Sequence, residues 1–487
     1  MILKRALGVA IVLFWCFMNF LLVKRQLAAP PLPVTLSTVN AISEPLEEWW
    51  GVYFRGEKIG YASQKLTPQN DGYRVQSASV LRLNLLGTIQ DVRTSLEMSA
   101  NSEWAMKQFD FELHSNNVRF SARGEFIGNK LRIKATSAGH ATETEFAVRQ
   151  PPYLLAALKP YIVTQELEPG KPNIFPTFDP ATLSQQLTTV VVEGRERIQI
   201  GGAMEPAIRV RQEFKGLSVI SWLDGKGRTL REESPTGLSL RKETAEEAAV
   251  IPGAKSITLD LVAQTAVPVE APIAEPQRKE RLKLRLSGFN IDHFPLNGER
   301  QRLMGYTLEI RREDLDAVSS YKLPATGLRF AAYLQPTPFV QSDHPQIRAL
   351  AQAILKGETD ALKAAARLKD WVYRELAKEP TVSIPNAVQV LQTKRGDCNE
   401  HTVLFNALAR ASGIPAKTVV GVVYLRGAFY YHAWSEVWVG EWVSLDSVLN
   451  QFPADVTHVK FLEGEIDRQI DMLQLIGNLK IKVLDAS

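Results

Sequence analysis

The chain has 487 residues, of which 45% are hydrophobic and 23% are charged, and its formal net charge is +4. These proportions are ordinary for a globular protein of two or three domains. A nearly balanced charge, without a basic block interleaved with aromatic residues, excludes an extended nucleic-acid surface, and we expect no nucleic-acid partner. The two cysteines, Cys16 and Cys398, lie far apart in the sequence and predict no disulfide framework.

The first predicted element is an uncharged, mainly apolar segment at residues 6 to 23. Its length is just sufficient for a membrane span. Lys24 and Arg25 follow at once, which is atypical of a cleaved signal peptide, the alternative interpretation. The segment therefore predicts an uncleaved anchor within residues 1–27. It indicates a single-pass inner-membrane protein whose bulk lies on the periplasmic side, although similar basic flanks leave the orientation open.

Alternation of apolar and polar residues dominates residues 41–265. The run YRVQSASVLRLNL (73–85) alternates with a period of two, which predicts a half-buried strand. The dipeptides Gly128-Asn129 and Asp224-Gly225 separate such runs and predict hairpin turns. We expect a β-rich antiparallel domain, either a sandwich or an open barrel, whose role the pattern does not reveal.

The stretch AVPVEAPIAEPQ (266–277) contains three prolines. It predicts a linker or an extended crossover, which we place at residues 266–280. Strand-like segments continue through residues 281–340. From His344 onwards apolar residues recur at helical spacing, and the last domain is predicted to comprise residues 341–487.

Cys398 lies in RGDCNEHTVLFNALARASGIP (395–415), at the predicted start of a helix. Asp397 is a favourable N-cap residue, while Gly413 and Pro415 are typical of the helix end. The unpaired N–H groups of the first turn are expected to lower the pKa of the thiol and to stabilise an oxyanion. A buried core thiol is the alternative. The position favours a nucleophile, because a core cysteine gains nothing from a helix start.

Two strands joined near Gly440 are predicted in YYHAWSEVWVGEWVSLD (430–446). A hairpin there would bring His432 and Asp446 close together. A nucleophile needs a base, and the base needs a group that orients it. His432 is thus the candidate base and Asp446 its candidate partner.

Other histidines offer weaker candidates. His401 is an alternative base, but it lies one turn after Cys398 on the same predicted helix. The same two residues could ligate a metal, yet no second Cys/His pair follows at ligand spacing, so no metal or cofactor is expected. His344 and His458 have no comparable context and receive no role.

Residues 345–460 resemble the transglutaminase-like core of the papain-like cysteine superfamily. The resemblance rests on GDCNEHTVLFNALARASGIPAKTVVG, on HAW with EVW, and on WVSLD. It implies an α+β core in which Cys398 is the nucleophile, His432 the general base and acid, and Asp446 the orienting residue. It also implies attack on amide or ester carbonyls through a thioester. Many relatives continue with Asp-Pro-Thr, whereas this chain has DSVLNQ from Asp446 onwards. The subset that this chain resembles most is bacterial and membrane-anchored, with a β-rich region ahead of the core.

The predicted fold is α+β, with an N-terminal transmembrane helix, a β-rich antiparallel region and a transglutaminase-like core. The predicted function is thiol-dependent acyl transfer on peptide or isopeptide amides, as in a cysteine protease, an amidohydrolase or a protein-glutamine acyltransferase. Hydrolysis is preferred, because no site for an acceptor amine can be identified. A catalytically silent binding or scaffold module of the cell envelope is the alternative. The expected partner is a protein or peptide substrate, and the oligomeric state stays open.

Overall fold

The computed structural model describes residues 44–487 except 116–117, 138–139, 149–150, 154, 165–166 and 215. The predicted anchor at residues 1–27 lies outside this part of the chain. Within it, strands account for about 47% of the residues and helices for about 21%. Strand pairing therefore dominates the architecture.

One antiparallel sheet comprises fourteen of the described strands. Their bounds are β1 (Leu46–Phe54), β2 (Glu57–Gln69), β3 (Gly72–Leu85), β4 (Thr88–Asn101), β5 (Met106–Ser115), β6 (Val118–Ile127), β7 (Lys130–Ser137), β8 (His140–Ala147), β9 (Pro172–Asp179), β10 (Ser184–Ile200), β11 (Ala203–Phe214), β12 (Leu217–Leu223), β13 (Thr229–Glu233) and β14 (Leu238–Lys242). In space the order is β8 to β1 and then β14 to β9, so β1 and β14 meet in the middle. The predicted turns at 128–129 and 224–225 connect paired strands and are confirmed.

The large sheet curves around one apolar core. Its single long connection contains α1 (Leu155–Thr164), which lies between β8 and β9 in the chain. Tyr161 of this helix packs in the same buried cluster as Phe109 of β5 and Phe175 of β9. Because these strands come from opposite arms of the sheet, the sheet must bend for both to bury their apolar faces. The solvated face carries cross-strand ion pairs, as the period-two pattern predicts.

The second half of the chain contains three smaller sheets and most of the helices. The strands are β15 (Val267–Pro268), β16 (Arg281–Ser287), β17 (Gln301–Met304), β18 (Thr307–Arg311), β19 (Ala377–Lys378), β20 (Arg395–Gly396), β21 (Ala416–Leu425), β22 (Ala428–Trp438), β23 (Trp442–Leu445), β24 (Val459–Glu463) and β25 (Lys480–Ala486). The helices are α2 (Ala245–Ala249), α3 (Leu261–Thr265), α4 (Ala331–Leu334), α5 (Pro345–Leu355), α6 (Ala361–Glu375), α7 (Ala387–Thr393), α8 (Cys398–Ala411) and α9 (Ile466–Gln469). Short 3-10 turns occupy Ala254–Ser256, Pro276–Arg278, Ile291–His293, Leu315–Ala317, Leu328–Phe330 and Ile470–Leu475.

These sheets are small and are built from strands distant in sequence. One has the order β15-β22-β21-β24, with β23 paired to β22, and another has the order β17-β18-β16-β25. The two-residue strands β19 and β20 form a parallel pair. The proline-rich stretch thus contributes β15 to the sheet that contains β22. The domain boundaries given above stay predictions.

Helix α8 is the central element of the second half. Its N-cap is Asp397, and a reciprocal capping box links Asp397 with Glu400. Residues 400–410 of the helix are buried, since α5, α6 and α7 contact it as well as β21 and β22. Thr402 Oγ1 donates a hydrogen bond to the carbonyl oxygen of Ala433 at 3.2 Å, which fixes the helix to β22. The predicted helix and the predicted hairpin of β22 and β23 are both confirmed.

The predicted fold class needs correction in two respects. Residues in strands outnumber residues in helices by more than two to one, because the period-two pattern extends over fourteen strands. An α+β description is therefore wrong for the described chain.

In residues 44–487, apart from the short gaps, no helix is long and apolar enough to cross a membrane. The longest, α6, has 15 residues, whereas a span needs about 20. The described residues therefore give no support to the predicted transmembrane helix or to the single-pass inner-membrane location, whose predicted anchor lies outside them. The antiparallel β-rich region is confirmed.

We expect Leu404→Ala to lower the free energy of unfolding by about 3 kcal/mol, because Leu404 is fully buried at the centre of α8. Leu328→Ala is the matched control, since that side chain is 95% exposed. Its effect should stay within about 0.5 kcal/mol. Urea denaturation of both variants measures the difference. Equal losses of unfolding free energy in Leu404→Ala and Leu328→Ala would contradict the central position of α8.

Candidate active site

Cys398 is the first residue of α8, and its half-buried side chain lies beside the apolar core under β22. The turn before it requires glycine, because Gly396 has a φ of +152° and a Cβ there would clash with Glu400. The Glu400 carboxylate accepts a hydrogen bond from the Asp397 N–H at 2.9 Å and another from the Ser383 hydroxyl. Local sequence thus fixes the cysteine at the helix start, as predicted.

The electrostatic surroundings of the thiol differ from the expectation. Burial raises the pKa of Cys398 well above its usual value, and the neighbouring Asp397, Glu400 and Asp446 raise it further. Only hydrogen bonding from the backbone of Ala433 lowers this pKa among the leading contributions. The expected lowering by the helix start is therefore wrong, because burial and acidic neighbours outweigh it. At neutral pH the resting thiol is protonated, so its reaction needs a base.

His432 and Asp446 are brought together by the hairpin of β22 and β23. His432 Nε2 donates a hydrogen bond to Asp446 Oδ2 at 2.6 Å, so the predicted proximity is confirmed. Asp446 only accepts when it is ionised, which places the proton of the neutral imidazole on Nε2. The lone pair of Nδ1 is then available to a neighbouring donor. The thiol of Cys398 lies close by, since it contacts the backbone of Ala433, the residue after His432.

The carboxylate of Asp446 is completely buried and accepts four hydrogen bonds. Its Oδ1 accepts from the backbone N–H groups of Val448 at 2.6 Å and Leu449 at 2.9 Å. Its Oδ2 accepts from His432 and from His458, the latter at 3.0 Å. Burial alone would raise the pKa of Asp446, but the two imidazoles lower it well below its usual range. The DSVLNQ sequence thus forms a turn whose N–H groups hold the aspartate.

Sequence analysis missed His458, which is completely buried behind Asp446. Its Nε2 faces Asp446, and its Nδ1 lies 3.3 Å from Asp455 Oδ1. Burial would lower the pKa of His458, but the two carboxylates raise it to about 9, so both ring nitrogens donate. The only local signal is the spacing of Asp455 and His458, three residues apart, just before β24. Its significance depends on the pairing of β24 with β21, which sequence did not predict.

His401, the alternative base, is tied to its own helix. Its Nδ1 donates to the carbonyl oxygen of Asp397 at 2.7 Å, and burial lowers its pKa. Its Nε2 is buried without a hydrogen-bond partner among the described residues. The ring is therefore neutral and held along the helix, and it has no carboxylate that orients it as Asp446 orients His432.

The ligand atoms of His432, Asp446 and His458 lie within 4.8 Å of one another, which is the spacing of a possible metal site. These atoms are already joined to each other by hydrogen bonds. An ion would have to replace both bonds and remove a proton from His458, whose pKa is about 9. The hydrogen-bonded arrangement therefore accounts for the cluster.

The raised pKa of His458 predicts a specific pH dependence of stability. Its folded value of about 9 exceeds the unfolded value of 6.5, so its stabilising contribution is complete below pH 6.5 and is lost as the pH rises through 9. The loss should be on the order of 3 kcal/mol. Urea denaturation at pH 6, 8 and 10 measures it. His458→Gln should lack this component, and parallel curves for the two proteins would contradict the assignment.

Comparisons with known proteins show similarity over part of this chain. Residues 348–447 match the family model of the transglutaminase-like superfamily. An uncharacterised protein of Haemophilus influenzae is 30% identical over 111 residues, which are 20% of this chain and 30% of that protein. The chain thus spans less than a third of the length of that relative.

Two solved structures are among those found to be similar to parts of this chain. A candidate cysteine protease of Cytophaga hutchinsonii is 17% identical and covers 43% of this chain and 85% of its own, with a TM-score of 0.29. A β-barrel-like protein of Brucella abortus, from the domain family of unknown function DUF1849, is 11% identical and covers 41% of this chain and 96% of its own, with a TM-score of 0.34. The match of residues 348–447 to the transglutaminase-like family model supports a thiol-dependent hydrolase or transferase in general terms.

Proposed function

We propose that this protein is a thiol-dependent acyl-transfer enzyme that acts on peptide or isopeptide amides. The observation that carries the proposal is the 2.6 Å hydrogen bond between His432 and Asp446, next to the helix start that bears Cys398. An imidazole oriented by a carboxylate beside a thiol is the arrangement that nucleophilic catalysis requires. The transglutaminase-like domain supports the same class of chemistry.

Acylation begins when Cys398 Sγ attacks the carbonyl carbon of the amide. His432 Nδ1 accepts the thiol proton as the carbon–sulfur bond forms, and the backbone N–H of Cys398 stabilises the negative oxygen. When the intermediate collapses, the carbon–nitrogen bond breaks and His432 returns the proton to the leaving amine. The products are a free amine and an acyl thioester on Cys398.

Deacylation follows the same path in reverse with a new nucleophile. His432 takes a proton from water or from an amine as this new nucleophile attacks the thioester carbon. The carbon–sulfur bond then breaks, the acid or the new amide leaves, and His432 returns the proton to Cys398 Sγ. Asp446 keeps the imidazole proton on Nε2 throughout, so that Nδ1 can accept. Because the resting thiol is protonated, proton transfer to His432 must accompany the attack by Cys398. We propose hydrolysis as the main outcome, since water needs no dedicated acceptor pocket.

We expect Cys398→Ala to abolish turnover and His432→Ala to be nearly as damaging, because one removes the nucleophile and the other its base. Asp446→Asn should reduce turnover less, since the imidazole stays but its tautomer is no longer fixed. His401→Gln should retain most of the activity. Fluorogenic amide and isopeptide substrates measure turnover, and a fluorescent primary amine added to the reaction distinguishes acyl transfer from hydrolysis. Circular dichroism of each variant controls for folding.

Two outcomes would overturn the proposal. Loss of activity in a folded His401→Gln variant, with activity retained in His432→Ala, would assign the base to the wrong histidine. Full biological function in Cys398→Ala would favour the catalytically silent binding module. The raised pKa of the thiol supports the binding-module alternative, because a protonated cysteine is a weak nucleophile.

A further inference from the structure

A second histidine stands behind the proposed base and its aspartate. His458 shares the Oδ2 atom of Asp446 with His432, at 3.0 Å and 2.6 Å respectively. The ring centroids of the two histidines are 5.8 Å apart. Because its side chain is fully buried behind Asp446, His458 cannot touch a substrate. The reaction described above gives it no step.

Charged groups face His458 from each element packed against it. Asp446 follows β23, His432 lies on β22, and Asp455 belongs to the same loop as His458. Asp455 is itself held by the Thr457 hydroxyl at 2.6 Å and by Gln451 at 2.9 Å. The ring therefore lies between two fixed carboxylates, which is the environment that stabilises a buried imidazolium.

A further cation, Arg300, binds the backbone carbonyl of Asp455 at 2.8 Å. It is paired with Glu313 at 3.1 Å, and both side chains are almost completely buried. This ion pair holds the backbone of the loop and leaves the Asp455 side chain to His458. The His458 ring itself lies against Asp446, with Nε2 3.0 Å from Oδ2.

We propose that His458 is a positioning residue: a buried imidazolium that holds the Asp446 carboxylate in place and adds a positive charge behind the Cys398–His432 pair. This inference rests on the proposed function, since it concerns the same site. Two N–H groups hold Oδ1 and two imidazoles hold Oδ2, so the carboxylate cannot rotate away from His432.

The charge has a consequence that a purely structural hydrogen bond would not have. Asp446 contributes to the raised pKa of the Cys398 thiol, and a positive charge bound to Asp446 opposes that contribution. Glutamine at position 458 can still donate a hydrogen bond to Asp446, but it carries no charge. His458→Gln therefore separates the charge from the hydrogen bond.

The test is the rate of iodoacetamide alkylation at Cys398 in the full chain between pH 7 and 8, where His458 is protonated. We expect His458→Gln to slow alkylation about tenfold, because loss of a buried cation raises the pKa of the thiol and lowers the fraction of reactive thiolate. His293→Gln is the matched control, since His293 is exposed, and its rate should equal that of the wild type. An unchanged rate in folded His458→Gln would overturn the inference.

Alkylation needs no substrate, so this result is independent of the proposed function. If the wild type cleaves no amide and His458→Gln is alkylated more slowly than the wild type, the enzymatic proposal is refuted and the electrostatic role of His458 is supported. If His458→Gln does not fold, nitrogen-15 spectra of labelled histidines in Cys398→Ala provide the second measurement. One buried imidazolium should persist at pH 8, where exposed histidines are neutral. Neutral rings throughout at pH 8 would overturn the inference.

Discussion

The buried carboxylate of Asp446 accepts hydrogen bonds from four donors, and the arrangement of the second half of the chain depends on them. Two donors are backbone N–H groups of the turn that follows, and two are imidazoles from β22 and from the residue before β24. A buried charge is tolerated only when it is paired and fully hydrogen-bonded. The turn, the hairpin and the β21–β24 pairing must therefore form together for this carboxylate to be satisfied.

Helix α8 shows how burial changes the chemistry of a helix start. The helix dipole favours an anion at this end of the helix, and this argument alone predicts a reactive thiolate. The same helix is enclosed by other elements and has carboxyl groups on both sides of the cysteine, and these raise the pKa of the thiol. Burial and the acidic neighbours outweigh the helix dipole, so the thiol stays protonated. The proposed reaction therefore requires His432 to accept the thiol proton.

The large sheet contributes to this region by direct packing. Phe339 and Ile384, from segments that lead to α5 and α7, are buried in the apolar core of the sheet. Gln90 of β4 donates a hydrogen bond to the carbonyl oxygen of Pro380 at 2.9 Å. The chain that leads to the nucleophile is thus held on one side by the β-rich region, and changes in the sheet should reach Cys398 through this segment.

Local sequence determined the elements whose signals lie within a few residues of one another. The N-cap at Asp397 and the apolar repeat of α8 predicted the helix, and the alternation around Gly440 predicted the hairpin that joins His432 to Asp446. The alternation over residues 41–265 predicted the antiparallel region, whose strands lie between residues 46 and 242. The predominance of strands over helices in the described chain was not predicted.

Only the tertiary structure decided the role of His458 and the ionisation of Cys398. Val459, the residue after His458, pairs with Val422, and this contact across the sheet moves the histidine behind Asp446. No periodicity specifies which distant strands pair, because alternation marks a buried face but not its neighbour. The pKa of the thiol likewise depends on desolvation and on the charge of Asp446, almost fifty residues away in the chain. Both properties arise from groups that meet only when the chain folds.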